Sequence, residues 1–195
     1  MKDEKKQLVR IVIAEDEAII RLDLRESLEA EGYVVVGETG RGDEAIELAR
    51  DLNPDVVILD IKMPGLTGIE AAKVISDEKI AAVLLLTAFS QRDLIQDASQ
   101  AGALAYLVKP FQRSELVPSV ELAIGRFKEI SDLKEKNDAL LENLETRKIV
   151  DRAKGTLMDQ FALKERDAYR YLQKRAMEER LPMKEIALLI LEDEA

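Results

Sequence analysis

The chain has 195 residues, 47% of them hydrophobic and 35% charged, which is enough for one domain of about 125 residues plus a smaller appendage. It contains neither cysteine nor histidine, which excludes disulfides, thiolate zinc sites, thiol nucleophiles and the usual hydrolase triads. The formal net charge of -10 argues against a nucleic-acid partner, yet residues 147–175 hold nine basic and only four acidic residues.

The N-terminal segment MKDEKKQ is polar, and no apolar run approaches the roughly 18 residues that a membrane span needs. We therefore expect no membrane segment and a reduced, cytoplasmic setting.

Up to about residue 127, short β-rich runs alternate with helical patterns, and Gly or Pro marks several of the junctions. The runs are residues 8–14, 33–36, 55–60, 82–87 and 104–108. Five strands interleaved with five helices predict an α/β domain built on a doubly wound, five-stranded parallel sheet. Because residues 56–59 and 83–86 are continuously apolar, the third and fourth strands are expected mid-sheet, covered on both faces.

Polar side chains stand at the ends of four of these runs. Glu15 and Asp16 follow the first, Asp60 ends the third, Thr87 ends the fourth, and Lys109 follows the fifth. Taken singly, an acid here is a helix cap or turn residue as readily as a site residue. Because parallel strands bring their carboxyl ends to one edge of the sheet, the coincidence of all five predicts a site there.

Three neighbouring carboxylates repel one another, so Glu15, Asp16 and Asp60 favour a divalent cation among them. Hard oxygen ligands that leave room for water and phosphate oxygens suit Mg²⁺. Asp60 is the candidate nucleophile toward an in-line phosphoryl group. Lys109 is predicted to offset charge on the phosphoryl oxygens, and the Thr87 hydroxyl to donate a hydrogen bond to one of them.

Beyond residue 127 the strand pattern gives way to a heptad seam, in which steps of three and four alternate between Ile130, Leu133, Asn137, Leu140 and Leu144. The spacing predicts a coiled-coil linker helix over residues 128–144 and hence a homodimer, with Asn137 at an a position that sets the register. Two heptads also fit a single amphipathic helix packed on its own domain, and both alternatives stay open.

After the seam, a basic stretch leads into two more helical patterns. Ala168, Tyr169 and Leu172 follow helical spacing, Leu181-Pro182 marks a break, and a short apolar helix follows over residues 186–190.

Residues 8–127 resemble the receiver domain of two-component response regulators. The resemblance rests on IVIAEDE at 11–17, VVILDIKMPGLTGIE at 56–70, LLLTAFS at 84–90 and AYLVKPF at 105–111. It implies that a histidine kinase phosphorylates Asp60. It also implies a Mg²⁺ site made of Glu15, Asp16, Asp60 and the backbone carbonyl of Lys62, with Glu15 in a slot where receivers often carry aspartate.

The same resemblance implies that Thr87 and Lys109 are the switch hydroxyl and lysine. It implies a cis peptide bond between Lys109 and Pro110. Tyr106 stands at the position of the switch aromatic, although a simple edge-strand aromatic is the alternative.

Residues 133–192, which share the linker helix, resemble the ANTAR domain, a three-helix RNA-binding output module of transcription antiterminators. The resemblance rests on LETRKIVDRAKGTLMDQF at 144–161 and DAYRYLQKRAMEERLPMKEIALLIL at 167–191. It implies structured RNA hairpins as the partner. The cations expected to contact RNA are Arg147, Lys148, Arg152 and Lys154.

Two further residues of this segment have alternative interpretations. Helical spacing favours a core position for Tyr169 over a role in stacking on a base. Gly155 is costly inside a helix, which indicates a close approach by RNA or by another helix.

The favoured hypothesis is a response regulator, not an enzyme, whose phosphorylation controls an antiterminating RNA-binding tail by dimerisation or by release of that tail. A DNA-binding regulator is weakened because the tail lacks a compact helix-turn-helix pattern. A phosphatase with an aspartate nucleophile would want a second aspartate two residues after Asp60, where this chain has Lys62.

Overall fold

A computed structural model of the chain describes residues 8–88 and 99–192. Its five strands are β1 (Arg10–Ala14), β2 (Val34–Thr39), β3 (Val56–Asp60), β4 (Ala82–Thr87) and β5 (Ala105–Val108). All neighbouring strands are parallel, in the order β2-β1-β3-β4-β5. The predicted α/β fold is confirmed, with β3 at the centre of the sheet and β4 beside it.

Within the described residues there are six helices: α1 (Ala18–Ala30), α2 (Gly42–Leu52), α3 (Gly68–Asp77), α4 (Arg113–Phe161), α5 (Glu165–Glu179) and α6 (Met183–Glu192). The helix predicted between the fourth and fifth strands falls largely on residues 89–98, outside the described residues, as does the end of the LLLTAFS motif. Over the part of the chain that is described, no helix is both long and apolar enough to cross a membrane.

Alternation along the strands builds two apolar layers, one on each face of the sheet. In β3, Val57 and Leu59 join the layer that α2 and α3 cover, whereas Val56 and Ile58 join the layer that α1 and the first part of α4 cover. All five residues of β3 are buried, as its continuously apolar run predicts. The layers hold β3 rigidly, and with it the residue at its carboxyl end.

A capping box starts α3 just after the loop that follows β3. The Thr67 hydroxyl accepts a hydrogen bond from the backbone N–H of Glu70 (3.2 Å), and the Glu70 carboxylate accepts one from the backbone N–H of Thr67 (2.8 Å). A cap of this kind stabilises a helix by about 1 kcal/mol. It therefore fixes where the loop beside the sheet edge ends.

The chain divides into two compact units, residues 1–131 and 132–195, and α4 runs as one continuous helix through the division. The second unit has its own core, formed by Val150, Ala153, Leu157, Ala168, Leu172, Ile186, Ala187 and Ile190. Its second and third helices are separated at residues 180–182, so the predicted break at Leu181-Pro182 is confirmed.

The apolar seam of α4 is exposed in the single chain. Ile130, Leu133, Leu140 and Leu144 all leave apolar side chains in solvent at heptad spacing. The coiled coil and the single amphipathic helix both stay predictions.

Candidate functional site

The strands deliver the predicted side chains to one edge of the sheet. Asp60 and Thr87 are the last residues of the neighbouring strands β3 and β4, Glu15 directly follows β1, and Lys109 directly follows β5. The backbone N–H of Lys109 donates to the carbonyl oxygen of Thr87 (2.7 Å), which ties two of these ends together. The structure brings all of these residues to the carboxyl edge, where open α/β sheets place their sites.

Three carboxylates form a cluster at this edge. Glu15, Asp16 and Asp60 each offer one oxygen, and the three oxygens lie within 4.8 Å of one another. The side chains of Glu15 and Asp60 are buried, while that of Asp16 is exposed. A set of anionic oxygen donors with one side open to solvent fits a hard divalent cation, as the sequence predicts for Mg²⁺.

Lys109 pairs with two members of the cluster. Its Nζ lies 2.6 Å from Oε2 of Glu15 and 3.0 Å from Oδ1 of Asp60. Burial lowers the pKa of Lys109, but its hydrogen bonds to Glu15 and Asp60 outweigh that effect and raise the pKa above its ordinary value. The ammonium group is therefore charged and already placed beside Asp60.

One ammonium group does not balance the acids around it. Burial raises the pKa of Glu15; the hydrogen bond from Lys109 opposes the rise, and the negative charge of Asp60 adds to it. The backbone N–H of Glu17 also donates to Oε1 of Glu15 (3.2 Å). Three carboxylates facing one ammonium leave negative charge uncompensated, and a divalent cation would offset it.

Beside these groups lies a cavity of about 210 Å³, lined by Asp16, Asp60, Lys62, Thr87, Ala88 and Lys109 among others. Since a water molecule takes about 30 Å³, this volume admits a phosphoryl group together with several waters. The Thr87 side chain is buried against the cavity and Lys62 lines its wall. The predicted roles of the Thr87 hydroxyl and the Lys62 carbonyl remain predictions.

Gly68 is a residue of this site that the sequence did not reveal. It begins α3, and its N–H donates to the carbonyl oxygen of Ile61 (3.0 Å). A Cβ at this position would lie 2.0 Å from the carbonyl oxygen of Asp60. The helix therefore approaches the backbone of Asp60 as closely as it does because residue 68 has no side chain.

Gly68→Ala is expected to lower the free energy of unfolding by about 1–3 kcal/mol, because the added methyl group must push the backbone of Asp60 or of α3 away. Urea unfolding measures the change. Gly125→Ala is the matched control, since a Cβ there would meet nothing within 4 Å. That helical substitution should instead stabilise by about 0.5–1 kcal/mol. Equal stability of Gly68→Ala and wild type would contradict the close approach.

Arg21 is a second residue that sequence reasoning missed. Its guanidinium donates a hydrogen bond to the backbone carbonyl of Glu15 and lies near Glu38 (3.9 Å). It thereby supports the turn that carries Glu15 and Asp16. No sequence signal identifies Arg21, because its contact joins the end of a strand to the first turn of the next helix, and neither the strand period nor the helix period relates the two.

Tyr106 lies on β5 with its side chain 48% exposed. It helps to line another cavity, of about 280 Å³, together with Leu104, Ser119, Leu122 and Arg126. The ring is thus at the surface of the edge strand, which fits either of the roles that the sequence leaves open. Its function as a switch stays a prediction.

In the second unit, the predicted RNA-contacting cations fall into two groups. Arg147, Lys148 and Arg152 are exposed on α4. The side chain of Lys154 is only 15% exposed, and its Nζ lies 2.7 Å from Oδ1 of Asp151 and 2.9 Å from Oε1 of Glu165. Hydrogen bonds to these two carboxylates raise the pKa of Lys154. Its ammonium group is engaged in joining α4 to the start of α5.

Tyr169 does not occupy the core position that the sequence favours. Its side chain is 44% exposed, while Ala168 and Leu172 are fully buried. One residue turns a helix by about 100°, so Tyr169 lies on the flank rather than on the apolar side. Gly155 has open space around it, since a Cβ there would meet nothing within 4 Å. Within the described residues, no other helix makes the close approach that the sequence offers as a reason for Gly155.

Two family models match the chain. Residues 11–121 match the response regulator receiver domain, and residues 138–191 match the ANTAR domain. The two matches fall on the two regions whose motifs carried the resemblance in the sequence.

Two relatives are similar to this chain, one over most of its length and one over a little more than half of it. The transcriptional regulatory protein PdtaR of Mycobacterium tuberculosis is 53% identical over 183 residues, covering 94% of this chain and 89% of that protein. The chemotaxis protein CheY of Thermotoga maritima is 37% identical over 112 residues, covering 57% of this chain and 93% of its own length.

Solved structures resemble the first unit. The signal receiver domain of a modulated diguanylate cyclase from Desulfovibrio desulfuricans has a TM-score of 0.58 and 33% identity, and the match covers 62% of this chain and 97% of that one. A CheX-CheY-BeF3-Mg²⁺ complex from Borrelia burgdorferi matches with a TM-score of 0.54 and 27% identity over 57% of this chain and 86% of that chain.

Proposed function

The chain belongs to the two-component response regulators that combine a receiver domain with an ANTAR output domain. We therefore propose that a histidine kinase phosphorylates the chain on Asp60, and that this phosphorylation controls the binding of structured RNA. The observation that carries the proposal is the placement of Asp60, which lies 3.0 Å from the ammonium of Lys109 and within a three-carboxylate cluster beside a cavity. Its role in transcription is regulatory.

Asp60 is the phosphoacceptor. Its carboxylate attacks phosphorus in line, the O–P bond forms as the bond from phosphorus to the donor nitrogen of the kinase breaks, and the released electron pair stays on that nitrogen. Before transfer, Lys109 holds the carboxylate in place at the cavity wall. The rigid position of β3 supports this geometry, because a nucleophile that is already aligned saves much of the entropic cost of reaction.

Glu15, Asp16, Asp60 and the backbone carbonyl of Lys62 are the residues that would hold Mg²⁺. The bound ion supplies positive charge that offsets repulsion between the carboxylates and the incoming phosphoryl oxygens. The Mg²⁺ in the similar Borrelia burgdorferi complex supports this choice of metal. Because Asp16 is exposed, Mg²⁺ and the phosphodonor can reach the site from the solvent.

Phosphorylation redistributes the partners of Lys109. The new phosphoryl oxygens compete with Glu15 for its ammonium, and the Thr87 hydroxyl donates to one of them. Movement of Thr87 is coupled to rotation of Tyr106, whose exposed ring changes the surface of β5. Such local changes at a bistable element are the usual origin of a phosphorylation switch.

The output is binding to RNA hairpins by the ANTAR domain, with antitermination of transcription as the consequence. We take the receiver as residues 8–127, the linker helix as 128–144 and the ANTAR domain as 133–192. Exposed Arg147, Lys148 and Arg152 support RNA contact through phosphates, and guanidinium planes also stack on unpaired bases.

The exposed seam of α4 favours dimerisation of the active form. Leu133, Leu140 and Leu144 leave apolar surface in water at heptad spacing, and a second copy would cover it. Asn137 at an a position would then set two-strandedness and register.

Leu140→Lys is expected to raise the dissociation constant of the dimer by at least about 100-fold, because it places a charge in a desolvated seam. Sedimentation equilibrium with acetyl phosphate and Mg²⁺ measures it. Ala139→Lys is the matched control, since it adds the same charge at an exposed position one residue away from the seam. A Leu140→Lys protein that dimerises as well as the control would contradict the proposed interface.

The proposed function is tested by measuring binding to structured hairpin RNAs and to duplex DNA, with and without acetyl phosphate plus Mg²⁺. RNA binding that strengthens only when both reagents are present is the expected result. Binding to DNA alone would favour the DNA-binding alternative and refute the ANTAR output. Phosphorylation that persists after chelation of the metal would refute the Mg²⁺ site.

A further inference from the structure

The outward side of α5 carries a group of residues that we call the basic face, namely Arg166, Arg170, Gln173, Lys174 and Met177. At about 100° per residue, the five lie within an arc of about 100° opposite the buried Ala168 and Leu172. The acids of α5 fall outside this arc. The helix therefore presents an acid-free cationic strip to solvent in a chain of net charge -10.

The cations of the basic face are weakly engaged. Arg166 lies 3.9 Å from Asp167 and Lys174 lies 3.6 Å from Glu178, with 79% and 76% of their side chains exposed. Exposed pairs of this kind contribute little and exchange readily for a better anion. No carboxylate of the described residues lies within ion-pair distance of Arg170. All three charges are available to a polyanion.

An aromatic ring borders this strip. Tyr169 is 44% exposed, with Arg166 one turn before it and Gln173 one turn after it on the same side of α5. Its hydroxyphenyl ring offers a surface on which an unpaired base stacks, and stacking of this kind tolerates any base. Tyr171, equally exposed, lies about 200° away around the helix with Asp167 one turn before it.

We propose that the basic face and Tyr169 form a second RNA-binding surface of the ANTAR domain, separate from the cations of α4. Arg170 and Lys174 contact backbone phosphates, and Tyr169 stacks on an unpaired loop base. The inference rests on the proposed function, which it deepens by naming the residues that distinguish a looped RNA from a duplex.

RNA fits this surface better than an acidic protein segment does. Guanidinium groups bind phosphate in a bidentate manner and stack on bases, and tyrosine adds a stacking platform that an acidic peptide would not use. The charge is complementary to a phosphate backbone. An acidic protein segment would contact only the cations. A contribution of Tyr169 to binding therefore distinguishes RNA from an acidic protein segment.

Fluorescence anisotropy with the full-length phosphorylated protein tests the proposal. The probes are hairpin RNAs that wild type selects from a pool with a fixed stem and a randomised loop, and the same stem as a blunt duplex. The variants are Arg170→Gln with Lys174→Gln, Tyr169→Leu alone, and Tyr171→Leu as the matched control. All are exposed positions, and circular dichroism checks that the helices remain.

The double charge variant is expected to weaken binding of both probes about tenfold or more, and to reduce the slope of log affinity against log salt by about 1.5. Tyr169→Leu should weaken only the hairpin, about tenfold, without changing that slope. Tyr171→Leu should stay within about twofold of wild type.

Wild-type RNA binding that none of the α5 variants alters overturns this inference and leaves the proposed function standing. Equal losses in Tyr169→Leu and Tyr171→Leu overturn the stacking role. A charge effect with no effect of Tyr169→Leu on the hairpin overturns loop recognition by this face. If wild type selects no RNA from the pool, the inference and the proposed function fail together.

Discussion

Asp60→Asn is expected to abolish phosphorylation by acetyl phosphate or by a histidine kinase, because an amide oxygen is a far weaker nucleophile than a carboxylate and carries no charge for Mg²⁺. The loss should be complete on a gel that resolves the phosphorylated form. RNA affinity should then be the same with and without the phosphodonor. The change is nearly isosteric and leaves an oxygen for Lys109, which lies 3.0 Å from Asp60.

Asp77→Asn is the control for this experiment. Asp77 ends α3 and is largely exposed, and it pairs with Lys73 on the same helix (3.2 Å). It should be phosphorylated and activated like wild type. A protein that still accepts phosphate after Asp60→Asn would place the acceptor elsewhere, and RNA affinity that still rises with the kinase would uncouple the receiver from the output.

Replacing Arg147, Lys148 and Arg152 together by glutamine is expected to weaken RNA binding about 100-fold at moderate salt. Charge-assisted contacts contribute about 1.5–3 kcal/mol each, and not every one of the three need touch a phosphate. The slope of log affinity against log salt should fall by about 2. Anisotropy titrations over a range of salt concentrations measure both quantities, and phosphorylation of Asp60 should be unaffected.

Lys73, Arg113 and Lys128, replaced together by glutamine, make the matched control. These residues are exposed and lie outside the ANTAR domain, and the net charge changes by the same amount. The control should bind RNA almost as wild type does. If both triple variants lose affinity equally, the effect is one of overall charge. If neither does, Arg147, Lys148 and Arg152 are not RNA ligands.

Much of the receiver fold follows from local pattern. The bounds predicted for the fourth strand, residues 82–87, match β4, and the third run begins one residue before β3. Continuously apolar runs of this length are buried on both faces, and that alone placed β3 and β4 inside the sheet. The convergence of Glu15, Asp60, Thr87 and Lys109 was predictable because parallel strands all point their carboxyl ends to one edge.

Contacts between segments distant in sequence were not predictable in this way. Lys154 looked like a free cation beside a basic run, but Glu165, eleven residues later, engages it. The spacing of Tyr169 allowed a core position, and only packing against α6 and α4 decided which side of α5 faces inward. Helical periodicity shows which residues share one side of a helix, but it does not show which other helices that side packs against.

Local sequence patterns were enough to predict the fold class, the order of the strands and helices, and which side chains meet at the sheet edge. The reason is that hydrophobic periodicity and the ends of strands are properties of short segments. Other features are visible only in the folded chain: Lys109 pairs with both Glu15 and Asp60, and α3 passes so close to Asp60 that Gly68 must lack a side chain. The exposure of the α4 seam is likewise known only from the fold. These features depend on distances between different strands and helices, and no pattern within one strand or helix encodes such distances.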